Sequence, residues 1–468
     1  MKKVVLFLFA LLLSSMSFAD NVTTNSGSGL APTYPTLYDA ITALNNIVTM
    51  TGAVEITLTG NETAPVGGYS ITQLGGTSSY TILIQGSGST ITAGLQTAGS
   101  HTDAIFKIVG GDYITIQNFT MQENAGNTVT TYASNTMTEF GVALFLFSAT
   151  DGAQNNTIKN NTITLGSAFQ DAIGIFSTSS SSSTNGALAA TSTAGTNSYN
   201  KFYSNTISGV AYGMYFICEP VTATIFESGI DIGGSSAATA NNITFGNATT
   251  ATLSWTRFSA VLPAGIYFRN GGAGNNVGYN TITANNLAYA QSGGIGGIVT
   301  TLGTAGTGVT YSSTWNNNSI TLYNTAATPS TGIDFGYGLS TGTLAANYNT
   351  INITSTTTVA MSGAIYGIKA NYASATNNAG NNTITINQTF SPATALTNSS
   401  SIYGISLAGA GTTLNSNSNN ITINQTNSPT AAIISTLSSP PTGINLSAAA
   451  TTINALSNTI LFNQVPSM

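Results

Sequence analysis

Two short phrases alternate from residue 141 to residue 460, and a chain built on such a beat can only fold as a stack of equivalent turns. The first is a glycine followed by an apolar residue: Gly141-Val142, Gly174-Ile175, Gly213-Met214, Gly265-Ile266, Gly297-Ile298, Gly332-Ile333, Gly367-Ile368, Gly404-Ile405 and Gly443-Ile444. The second is asparagine before Thr-Ile or a near equivalent: Asn161, Asn205, Asn242, Asn280, Asn318, Asn349, Asn382, Asn420 and Asn458 open it. The phrases never fall out of order, and a turn is roughly 36 residues long. A shorter polar element, such as Asn155-Asn156-Thr157-Ile158, precedes the second phrase.

Each unit therefore offers three short β-branched segments separated by Asn, Gly and Ser, with no helical apolar period between them. That pattern predicts an all-β solenoid in which each strand pairs with its equivalent one turn later. In Asn382-Thr383-Ile384-Thr385-Ile386 the strand period of two sends Ile384 and Ile386 inward and Thr383 and Thr385 outward. The asparagine falls at the corner. Asn161, Asn205, Asn280, Asn318, Asn349, Asn382, Asn420 and Asn458 are then expected to stack as an amide ladder at ~4.8 Å, and Asn tolerates the left-handed backbone of a tight corner.

These phrases and the turn length make the chain resemble the right-handed parallel β-helix proteins, the superfamily that holds pectate lyases and many bacterial surface and adhesin-type proteins. The resemblance covers about residues 54 to 463. It implies the fold and leaves activity open, because lyases, hydrolases, adhesins and inert stalks share it.

The ends read differently. Residues 1–19 carry Lys2 and Lys3, a ten-residue apolar stretch and Ser17-Phe18-Ala19, the signature of a cleaved secretion signal. Residues 20–53 hold a capping helix, with Thr36 as N-cap, Asp39 three residues on, and Leu37, Ile41, Leu44 and Val48 on one face. Residues 54–468 form the coil, with an insertion at about 222–263 inside the long interval between Gly213 and Gly265. The repeat runs on to Val465, which predicts an open C-terminal edge, suited to self-association or to a further anchoring or export segment. No apolar span follows the signal, so no transmembrane segment is expected.

Composition narrows the function. Only 5% of the 468 residues are charged, and 8 Lys plus Arg cannot neutralise a nucleic-acid backbone. One His and one Cys exclude a zinc site, and no cofactor motif is present. Cys218 has no partner for a disulfide and is expected to be a buried, inert thiol. Lyase or hydrolase chemistry on a polysaccharide needs clustered carboxylates; the weak candidates are Glu219, Glu227, Asp231 and Asp334, while Asp103, Asp112 and Asp171 look scattered. His101 and Asp103 are close in sequence, as a triad would require, but read as polar loop residues.

The outward position of the Gly-apolar strand forms a column of Phe176, Tyr215, Tyr267, Val299, Asp334, Lys369, Ser406 and Asn445. Tyr215 and Tyr267, with Arg269 two positions along, are the candidate platform for a sugar ring, the competing reading being aromatics packed beneath the insertion. Asp334 and Lys369 are neighbours fit for an ion pair. Outward threonine pairs such as Thr162 and Thr164 raise ice binding as a lesser alternative, interrupted at Asn352 and Leu461. The expectation is a secreted or cell-surface β-helix serving adhesion, contact with an extracellular polysaccharide or cell-surface glycan, or a structural role.

Overall fold

The computed structural model describes residues 20–166, 168–184, 186–218, 225–246, 262–269, 274–287, 294–301, 312–339, 342–361, 363–373, 376–392, 397–398, 400–408, 413–428, 436–437, 439–447 and 452–465. The expected signal, residues 1–19, lies outside them.

Each turn contributes one strand to each of three sheets. Ile82–Gly86 belongs to sheet A, Thr90–Thr92 to sheet B and Ala104–Val109 to sheet C, and Ile114–Gln117 then returns to pair in parallel with Ile82–Gly86. Among the described residues sheet A has 14 strands, sheet B 12 and sheet C 11. The pairing is in register over whole strands: Thr350–Thr357 on Thr383–Phe390, and that on Asn420–Asn427. The chain is a parallel β-helix.

Isoleucines fill the axis. Ile282, Ile320, Ile351, Ile384 and Ile421 stack in sheet B with no exposed surface, each burial contributing about 1.5–3 kcal/mol. The recurrent glycine of sheet C faces them. A Cβ on Gly174 would lie 2.4 Å from Ile207 Cγ2 and 2.6 Å from the Gly213 carbonyl oxygen, so no side chain fits.

The amide ladder is present, with one correction. Asn318 Oδ1 accepts from both the backbone N–H and the Nδ2 of Asn280 at 3.0 Å, and Asn318 Nδ2 donates to the Val277 carbonyl at 2.8 Å. The same bonds link Asn382 to Asn419, not Asn420. Asn420 starts the strand beside Thr383 and Thr459. The left-handed residue is the one before the ladder position, for example Asn317, Asn381 and Ser418. Ser418 takes that conformation, so Asn419 is the residue whose amide turns inward. Asn241 also joins the ladder, bonded to Asn205 and Asn280.

The first turn is closed as expected by a helix, Leu37–Asn45, whose cap Thr36 accepts the Asp39 N–H and donates its hydroxyl proton to the Asp39 carboxylate. Leu37, Ile41 and Leu44 are buried, but Val48 is 98% exposed, because the helix stops before reaching it. Sheet A gains a second closure: Val22–Thr24 pairs antiparallel with both Thr33–Tyr34 and Val54–Leu58. At the other end no described strand covers Thr459–Val465, and Ile460, Leu461, Phe462 and Val465 are exposed.

The segment 222–263 is not a simple insertion. Asp231–Ile232 and Asn242–Phe245 inside it are regular strands of sheets A and B. Residues 247–261, with Trp255 and Arg257, lie outside the described residues.

Candidate glycan-contact groove

The outward column of sheet C has the expected register throughout, from Phe176 through Tyr215, Tyr267, Val299, Asp334 and Lys369 to Ser406 and Asn445. Exposure is where the expectation of an aromatic platform fails. Tyr215 is fully buried and Tyr267 nearly so, within a second apolar cluster outside the coil that includes Phe140, Phe176 and Tyr212. Tyr215 meets Tyr267 edge-on with centroids 4.8 Å apart, and Tyr267 shares a 2.6 Å hydrogen bond with Thr301. Arg269 lies two positions along the strand, beside Ile217 and Thr301. Neither tyrosine offers a ring face to a sugar, since each is spent on packing.

The carboxylate candidates do not converge. Glu227 is buried and accepts the Ser177 hydroxyl at 2.9 Å; burial pushes its carboxyl up to about 8. Asp231 belongs to sheet A, where Tyr203 and Asn276 donate to it. Asp334 stands on sheet C, ion-paired with Lys369 at 3.0 Å and accepting the Gly336 N–H. Glu219 lies outside the described residues. Cys218 is buried. His101 lies flat on Tyr132 and pairs with Asn135, while Ser100 donates to Asp103, so no triad forms.

A carboxylate group that sequence spacing could have disclosed sits at the entry to sheet C. Asp103 precedes Ala104, Glu139 precedes Phe140, and Asp171 lies two before Ile173; these three strands are neighbours in the sheet. The residues are one turn apart. The Asp103 N–H donates to Glu139 Oε2 at 2.9 Å. Glu139 is fully buried, and desolvation together with the charges of Asp103 and Asp171 holds its carboxyl well above the usual range. Burial also raises Asp103 and lowers Lys107 nearby. Among the described residues no three His, Cys, Asp or Glu side chains are placed to share a metal ion. The cluster is a buried network beneath the surface.

An open site lies at the corner between sheets A and B in the later turns. Asn347, Tyr348, Asn378, Asn381, Asn415 and Asn417 line a groove of about 330 Å³. The strands that lead into it are short, so the corner residues of successive turns stand side by side: Tyr348 N–H bonds the Gly380 carbonyl, and Asn381 N–H the Asn417 carbonyl. On the sheet A side, Asn378, Asn415 and Asn454 form an external ladder with bonds of 2.6 and 2.7 Å. Asn347 Oδ1 accepts the Gly380 N–H, and Asn417 Oδ1 the Leu456 N–H. Their Nδ2 groups, and the Asn381 amide, make no hydrogen bond within the described residues and face the groove with donors and acceptors unspent. Tyr348 is 59% exposed and holds a left-handed backbone, φ 59. For a bulky residue that conformation costs about 1–2 kcal/mol; Tyr279 takes it at the same corner two turns earlier, while Asn317, Asn381 and Ser418 fill that position in other turns.

The site thus belongs to the surface of a parallel β-helix, as a polar groove with one aromatic side and no ionisable cluster in its lining. Two structures of a Streptococcus pneumoniae surface adhesin, PfbA, are similar to the chain, each at 13% identity; one covers 90% of this chain and 95% of its own with a TM-score of 0.36, the other 84% and 86% with 0.33. No protein-family profile and no curated protein matches the chain.

Proposed function

We propose that this chain is a secreted, cell-surface β-helix of adhesin-like character that holds extracellular polysaccharide in the groove around Tyr348. The observation that carries the reading is the pairing of an exposed ring, kept in a costly backbone conformation, with a row of unspent side-chain amides. A ring face packs against the C–H face of a sugar, and amides supply both donors and acceptors for its hydroxyls. Strain retained where a cheaper residue would serve is a pointer to function.

A glycan array probed with the full chain tests it. Binding to one or more polysaccharides is expected, about tenfold weaker in Tyr348→Ala and restored in Tyr348→Trp. An array without hits, or a Tyr348→Ala variant that binds as the wild type does, overturns the reading.

A further inference from the structure

The outward face of sheet B differs from the other two faces of the coil. On every strand from Thr90–Thr92 to Thr459–Val465 two side chains point out in register, forming two columns. Every position in them bears a hydroxyl except Gln122, Asn242, Asn352, Asn420 and Leu461, and none bears a charge. The inward residue between the columns is isoleucine on all of these strands save one, Met121. A core side chain of nearly constant size lies beneath every strand of this face.

The hydroxyls are exposed or half-exposed. Within the protein they are almost unused: Thr164 bonds Ser208 at 3.0 Å, and Gln122 donates to Thr92. Strand preference alone does not place threonine here, because the same preference acts on all three sheets. The matching column of sheet A carries Glu55, Lys201 and Asp231; that of sheet C carries Lys107, Asp334 and Lys369.

The chemistry of this face selects its occupant. A protein partner is held by buried aromatic and arginine side chains, and the columns contain none. A charged partner finds no counter-charge. What the columns offer is a rectangular net of hydroxyls and methyls, ~4.8 Å between strands and ~6.8 Å along them, a spacing close to the oxygen repeat of an ice prism face. Water bridging neighbouring hydroxyls on such a net is already placed as a crystal layer. We propose that the outward face of sheet B binds ice. The site is separate from the Tyr348 groove, and either assignment can fail without the other.

Ice growth in the presence of the purified full chain tests the proposal. Faceted crystals and a gap between melting and freezing points are expected. Thr206→Lys/Thr281→Lys should abolish both, whereas Thr115→Lys/Thr314→Lys on sheet A should leave both intact. If the first variant loses its β-sheet circular dichroism, the single change Thr283→Lys replaces it. Round crystals with no freezing gap from the wild type, or a gap unchanged by the sheet B substitutions, overturns it.

Discussion

One column of side chains, in one unbroken register, is an apolar core in the early turns and a polar, partly buried row in the late ones. Along sheet C, Phe176, Tyr215 and Tyr267 are buried under further chain, with Phe140 stacked on Phe176 at 4.5 Å. From Asp334 onward the same column holds an ion pair, a serine and an asparagine. The inward side is nearly constant across this change. A solenoid thus separates two problems: the repeat sets what faces the axis, and whatever lies over each face sets what points outward. The carboxyls that burial raises, Asp103, Asp112, Glu139, Asp151 and Glu227, all belong to the early turns.

The sharpest way to break this contrast is to truncate one residue from each half of the column. Tyr215→Ala should cost about 3–5 kcal/mol, as expected for a large buried ring, and Asn445→Ala no more than about 0.5 kcal/mol, both read from urea unfolding. Equal losses would show that the outer cluster adds nothing.

The second prediction concerns pH. Glu227 is raised from its ordinary 4.5 to about 8, so between those values the folded protein keeps a proton that the unfolded chain releases. Its contribution is therefore intact below about pH 4.5 and is lost as pH rises through 8. Glu227→Gln should flatten stability over that window, with a gain of roughly 3–5 kcal/mol at the alkaline end. Urea midpoints from pH 4 to 9 read this directly, and a variant with the wild-type slope would remove Glu227 as a cause.

The smallest effect belongs to the polar half. Lys369 pairs with Asp334 and lies 5.3 Å from the Tyr366 ring centre. Both partners keep contact with solvent, so Lys369→Met should cost about 1 kcal/mol or less, and the difference should shrink in 1 M salt. A larger, salt-independent loss would place the pair with the buried half of the column.

The repeat made the stack of turns, the three sheets, the isoleucine axis and the full register of the sheet C column readable before any coordinates. It misplaced one ladder amide, because Asn419 and Asn420 are chemically identical and only the left-handed turn at Ser418 separates them. The Asp103, Glu139 and Asp171 cluster was readable in principle. Its members lie one turn apart, and in a coil a residue's neighbour is found a turn away, not beside it in sequence. The Tyr348 groove was less so: its asparagines are common along the whole chain, and only the stacking of corners shows which amides remain unspent.

The amino-acid sequence by itself determined the coil, because an unbroken alternation of Gly-apolar and Asn-Thr-Ile phrases admits one way of burying every isoleucine. Only the tertiary structure decided which outward residues meet water. Tyr215 and Asn445 hold the same outward position of the repeat, yet one is fully buried and the other keeps contact with solvent. Period constrains a residue's direction, whereas exposure depends on what packs over it, and connections outside the repeat carry no period to read.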